Sequence, residues 1–356
     1  MRLYFAGLIA ATAFAQAPTR FQPGIKPFVA FDDPVIALTH VRVIDGTGAA
    51  AREDQTVVID HGKISSVGGA VPASARTIDL TGHTVIPGIV GMHEHLYYPI
   101  GGGVPMYPEM AYSFPRLYLA AGVTSARTAG SVEPFTDLNV KSMIDAGRMP
   151  GPRLYITGPY LEGKGSFAPQ MHELAGPEDA ERFVEYWAAQ GATSFKAYMY
   201  ITRAELKAAV EAAHKRGIKV TGHLCSIGFR EAAAIGIDNL EHGLLVDTEF
   251  HPGKQPDVCP QNTRGEIARM DLNTQPVREM IADLVKHNVA ITSTLAVFEA
   301  FDPERPPVEQ RFLDAVSPDA AVNYLTARAK AVRGSNAAAL KKDWSSSICS
   351  PKRAVC

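Results

Sequence analysis

From Ile89 onward the chain repeats one pattern seven times: a short apolar run, a loop, then a helix-forming stretch. The runs fall at residues 89–92, 123–126, 154–157, 194–198, 218–221, 237–240 and 289–292. Runs this short and this apolar, alternating with helices, predict a parallel sheet covered by helices on its outer face. The intervening helices carry their own punctuation. Thr202, with Glu205 three residues on, forms a capping-box pattern, Leu206, Val210 and Ala213 follow at helical spacing, and Gly217 ends the run. Pro177 opens another helix that shows Phe183, Val184 and Trp187 on one face and stops at Gly191. An apolar helix is expected from Tyr112 to Ala121. A closed barrel of such units needs eight strands. After residue 294 the sequence reads as one or two helices, roughly 308–332, and then Lys341-Lys342-Asp343-Trp344, with no eighth strand pattern. An open sheet with two unpaired edges is expected to be marginal or aggregation-prone.

Ahead of the repeats lies a segment with a different rhythm. Residues 35–38, 41–44, 56–59 and 64–67 are short β-branched runs, and Asp60-His61-Gly62-Lys63 is a hairpin signal. This marks a small all-β unit at 35–85. Residues 1–15 read as a secretory signal: Met1-Arg2, an apolar stretch too short to span a bilayer, and Ala13-Phe14-Ala15 as the cleavage site. Residues 16–34 form a lead-in. The mature chain is therefore expected to be exported, periplasmic or extracellular. Thirty-five Lys and Arg against thirty-seven Asp and Glu, well mixed, give a net charge of -2 and no electrostatic reason for a nucleic-acid or membrane partner. A small-molecule substrate is the expected partner, and a homo-oligomer is allowed. Four cysteines permit a disulfide without demanding one.

The chemistry concentrates at the ends of the predicted strands. His93 and His95 are two apart on a strand, so both imidazoles project the same way from its carboxyl end, where barrel sites are built. Lys196 sits inside an apolar strand between Phe195 and Ala197, a costly place for a cation unless it is paired or chemically altered. His223 and His242 end the fifth and sixth strands. Taken singly, the bland alternatives are a pair of loop histidines for His93 and His95, a satisfied structural histidine for His223 or His242 and an ion-paired lysine for Lys196; together they fall at strand ends around one rim. Imidazole is a ready ligand for zinc and similar ions.

These residues carry a resemblance to the amidohydrolase superfamily, and within it to the imidazolonepropionase-like and prolidase-like secreted branch. The matching pieces span about residues 35–295. They are Val41-Arg42-Val43-Ile44-Asp45-Gly46, the run from Thr84 through Pro87-Gly88 to His93-Glu94-His95, the stretch from Ala120 to Arg127, Gly151-Pro152-Arg153-Leu154, Ser194-Phe195-Lys196-Ala197-Tyr198, Gly222-His223 and Glu241-His242-Gly243. The resemblance implies a (β/α)8 TIM-type barrel, here lacking the eighth strand, carrying a partial small N-terminal β-sandwich over residues 35–85, with the incomplete barrel at 86–344. It implies that His93 and His95 bind one metal, that Lys196, carbamylated, bridges two, and that His223 and His242 bind the second. Zinc is the default metal, with manganese, iron and cobalt as alternatives. The implied activity is hydrolysis of an amide, peptide or cyclic-amide C–N bond by metal-activated hydroxide, on a dipeptide or N-acyl amino acid.

The sequence departs from the family in one respect. The family places an aspartate, the proton acceptor, at the end of the eighth strand, and this chain offers no such strand; Asp343 reads as part of a helix end. Residues 345–356 resemble nothing in the family and are read as the product of a frame disruption, so a catalytically inactive, metal-binding remnant is the alternative. For substrate, Tyr97, Tyr98, Gly101-Gly102-Gly103 and Tyr107 follow the first histidines, and Tyr198 and Tyr200 follow Lys196. Arg127 either holds a substrate carboxylate or makes a structural ion pair.

Overall fold

The computed structural model describes residues 21–99, 106–261, 271, 273–299 and 305–334. The expected leader at 1–15, the glycine run at 101–103, Asp343 and the tail at 345–356 lie outside the described residues. The described residues divide into two compact units: those up to Pro87 together with Ser142–Gly151, and those of Gly88–Lys141 together with those from Pro152 onward.

The first unit is built on one five-stranded sheet, formed by β1 (Val35–Val43), β2 (Arg52–Asp60), β3 (Lys63–Val67), β4 (Arg76–Asp79) and β5 (Thr84–Val85). β1, β2 and β3 run antiparallel, while β4 and β5 lie parallel to β1. At the β2–β3 turn His61 (φ 46°) and Gly62 (φ 77°) are both left-handed, the conformation that matches a two-residue hairpin to the twist of its strands. The runs 35–38 and 41–44, expected as separate strands, are one strand. Pairing jumps from Leu38↔Val57 to Val41↔Gln55, so β1 carries an extra residue, and His40 takes it up at φ 57°. A bulge keeps the strand continuous where sequence reading finds a break. Val41, Val43 and Val57 form the core of this sheet.

The second unit holds the repeats. Its strands are β6 (Ile89–Glu94), β7 (Val123–Thr128), β8 (Arg153–Tyr155), β9 (Thr157–Leu161), β10 (Ser194–Ala197), β11 (Lys219–Gly222), β12 (Asn239–Glu241) and β13 (Ala290–Thr292). All pairings are parallel and in chain order, β6-β7-β8 and β9-β10-β11-β12-β13. The third repeat is split at Ile156: β8 pairs with β7, and β9 pairs with β10. Thr157 N donates to Thr128 Oγ1 at 2.8 Å across this step, and the Ile156 carbonyl accepts from Thr193 N at 2.7 Å. The fold is thus α/β of the TIM-barrel type, with seven repeats, and among the described residues no eighth strand pairs with β6 or β13.

The helices are α1 (Phe114–Ala120), α2 (Pro134–Asp145), α3 (Pro177–Gln190), α4 (Arg203–Lys215), α5 (Phe229–Ile235), α6 (Gln275–Lys286), α7 (Leu295–Glu299), α8 (Gln310–Ala315) and α9 (Pro318–Gly334). The capping box of α4 is formed: Glu205 N donates to Thr202 Oγ1 (3.3 Å) and Thr202 N to Glu205 Oε2 (2.9 Å). Gly191 stops α3 in the left-handed conformation, φ 107°. Val184 and Trp187 of α3, Leu206 and Val210 of α4, Phe229 of α5 and Met280 of α6 pack with Phe195, Ala197, Val220 and Leu240 of the strands. Burying a side chain such as Phe195 contributes about 1.5–3 kcal/mol. The period of two then fixes Lys196: with Phe195 and Ala197 under the helices, its side chain must point to the opposite face. A disulfide joins Cys225, just beyond β11, to Cys259.

Candidate metal centre

Four imidazoles meet at the carboxyl ends of β6, β11 and β12. Ring centroids are 5.2 Å apart for His93 and His95, 4.6 Å for His93 and His242, and 4.4 Å for His242 and His223. Each ring gets there for a local reason. His93 and His95 share a strand face, and Tyr118 Oη donates to the His95 carbonyl at 2.5 Å. His223 follows β11, where its N–H donates to the Ala197 carbonyl at 3.0 Å. His242 has φ 68°, a conformation that a non-glycine residue holds at some cost and that turns its ring back toward its neighbours.

Lys196 is 1% exposed. Burial, with help from Arg127, lowers its ammonium to about 8 despite the opposing pull of Glu241. Its charge in turn depresses His93, His95 and His242, for each of which burial is the larger cause. These three imidazoles are therefore neutral at neutral pH, the state in which imidazole ligates metals.

Sequence reading missed the residue that organises this set. Glu241 is fully buried. Its Oε2 lies 2.8 Å from His93 Nδ1, and its Oε1 accepts from Arg127 Nη2 (2.6 Å) and Thr221 Oγ1 (2.5 Å). Burial pushes its carboxyl up, but Lys196, the His93 hydrogen bond and Arg127 outweigh that and hold it far below the usual carboxylate range. The available signal was a glutamate directly after Leu240, at the predicted end of the sixth strand, where an unpaired buried charge is not tolerated. Arg127 makes the ion pair that was one of the two roles expected for it: besides Glu241, its Nε donates to the Met92 carbonyl at 2.9 Å.

The aromatic candidates separate. Tyr97 is 7% exposed, and its phenol is spent on a short hydrogen bond with the Tyr160 phenol. Tyr198 stands beside the histidines, 5.1 Å from the His223 ring and 4.6 Å from the Tyr160 ring. Tyr107 packs against Tyr97, Tyr98 is exposed, and Tyr200 contributes its backbone N–H to Glu162 Oε1.

The donor atoms suit a divalent ion in their chemistry. His95 Nδ1 is buried and makes no hydrogen bond, a costly state that a cation would relieve. His93 and His242 each have Nδ1 at a partner, Glu241 and Thr294 (2.9 Å), the arrangement that orients metal-ligating imidazoles. As they stand, among the described residues, no three His, Cys, Asp or Glu side chains have converged to hold an ion. The chemistry of the donors fits, and the rings would have to turn to converge.

Seven parallel strand repeats in chain order, with the polar groups gathered at their carboxyl ends, place the protein among the TIM-type α/β proteins, whose sites lie at that end. The chain belongs to the amidohydrolase family, whose model matches residues 84–301. A segment is similar to the dihydroorotase of Mycobacterium tuberculosis (strain ATCC 25618 / H37Rv), 39% identical over 61 residues, or 17% of this chain and only 14% of that protein. Among solved structures, a Xaa-Pro dipeptidase with methionine bound in its active site superposes with a TM-score of 0.60 at 19% identity, covering 88% of this chain and 77% of that one. A prolidase complexed with N-methylphosphonate-L-proline gives 0.56 at 19% identity, covering 86% and 76%. At these identities the likeness shows the shared fold.

Proposed function

We propose that this protein is a metal-dependent hydrolase that cleaves a C–N bond of a dipeptide or N-acyl amino acid. The observation that carries the reading is the gathering of His93, His95, His223 and His242 beside a buried lysine at one end of the sheet. In this reading His93 and His95 would hold one divalent ion, His223 and His242 a second, and Lys196, once carbamylated, would supply an oxygen donor to them. Zinc is the first expectation; manganese, iron or cobalt would use the same donors. When bound, such ions acidify a water and polarise the scissile carbonyl. Lys196 is suited to carbamylation: with its pKa at about 8, much more of the amine is neutral near pH 7 than in a free lysine. The neutral nitrogen adds to carbon dioxide and releases one proton, giving an anionic oxygen donor. Tyr198, against His223, and the neighbouring Tyr160 and Phe167 rings form an apolar wall for the substrate side chain. The names of the structural relatives, dipeptidase and prolidase, favour a dipeptide with a C-terminal proline. Export of the mature chain belongs to the same proposal, and a disulfide suits an oxidising compartment.

The test is elemental analysis of the purified chain together with turnover of a panel of Xaa-Pro dipeptides and N-acyl amino acids, with zinc or manganese supplied. Bound metal, lost when His93 and His95 are both changed to Ala, is the expected result. Metal content untouched by that change would overturn the site.

A further inference from the structure

Glu241 joins parts of the sheet that are distant in sequence. His93 comes from β6, Arg127 from β7 and Thr221 from β11, and all three converge on one carboxylate. The cluster extends further: Asn239 Nδ2 donates to Thr221 Oγ1 (2.7 Å), and Thr292 Oγ1 of β13 donates to Asn239 Oδ1 (3.2 Å). Stability alone does not call for this arrangement, because apolar packing often serves a fold as well as a buried ion pair. An ionised carboxylate can only accept hydrogen bonds. His93 must therefore donate its Nδ1 proton, which leaves Nε2 unprotonated in the neutral ring.

We propose that Glu241 is the positioning residue of the metal centre: it fixes the tautomer and orientation of His93, and Arg127 and Thr221 hold it in place to do so. This rests on the metal-binding reading above. The residue acts through His93 and is given no contact with the reacting atoms. A glutamine at this position has one acceptor and one donor end. It must turn its amide NH2 toward either Arg127 or His93, so it cannot serve both.

The experiment uses the full chain, metal-free and labelled with ¹⁵N-histidine. The ring nitrogens of His93 are assigned by their loss in His93→Gln. Zinc affinity is measured separately by competition with a chelating indicator. The wild type is expected to show His93 protonated on Nδ1. Glu241→Gln is expected to lose that preference and to bind zinc about 10–100-fold more weakly, the usual effect of removing a partner that orients a ligand. Thr221→Val keeps the charge and removes one anchor, so it should shift both readouts less in the same direction; it serves as the test if Glu241→Gln does not fold. If the wild type binds zinc but these variants bind it equally well, or leave the His93 tautomer unchanged, the role of Glu241 is overturned while the metal reading stands. If the wild type binds no zinc, the metal reading itself has failed.

Discussion

Changing both Cys225 and Cys259 to Ala removes the cross-link between the loop after β11 and a segment 34 residues further on. In the chain-entropy picture, closing a loop of that length restricts the unfolded chain by about 12–13 cal/mol/K, or about 4 kcal/mol at 25 °C. The folded loop has other restraints. The Cys225 carbonyl accepts from Thr248 Oγ1 (2.6 Å), Ser226 N donates to the Met199 carbonyl (2.9 Å), and Lys254 Nζ donates to the Ser226 carbonyl (2.6 Å). His223 is held to the Ala197 carbonyl through its own N–H. The double variant should therefore still fold, yet lose about 2–5 kcal/mol of stability. Guanidinium unfolding followed by the fluorescence of Trp187, buried in this unit, measures the loss. Non-reducing peptide mapping should first recover the linked Cys225 and Cys259 peptides. A loss below about 1 kcal/mol, or the absence of the linked peptide, would refute the reasoning.

Two further outcomes are expected. Burial is the chief cause that pushes the carboxyls of Asp137, Glu162 and Asp247 up to about 7. Because their folded pKa values lie above the unfolded ones, their favourable contribution is complete below about pH 4 and is lost as pH rises through about 7. Asp247→Asn should remove the share of that dependence owed to Asp247, so the stability of the variant relative to the wild type should rise as pH goes from about 5 to about 8; a difference between the two that stays flat over this range would contradict the argument. Gly163→Ala would set a Cβ 2.0 Å from the Tyr200 carbonyl oxygen and displace the backbone N–H that Tyr200 donates to Glu162. A destabilisation of about 1–3 kcal/mol is expected, and an unchanged denaturation midpoint would count against the close approach.

Sequence alone determined whatever is encoded between near neighbours. The seven apolar runs, the Thr202–Glu205 cap, the stop at Gly191 and the hairpin at His61-Gly62 each depend on residues within a turn or two. So does the shared direction of His93 and His95. The tertiary structure decided the rest. It merged two apparent strands through the bulge at His40 and broke another at Ile156, because strand limits follow from which neighbour supplies the hydrogen bonds. It paired two cysteines whose spacing carries no signal. It turned Arg127 inward, to a partner 114 residues away, and gave Glu241 a histidine 148 residues distant and a threonine 20 residues distant. A buried carboxylate is stable only where donors surround it, and those donors become neighbours only when the sheet assembles.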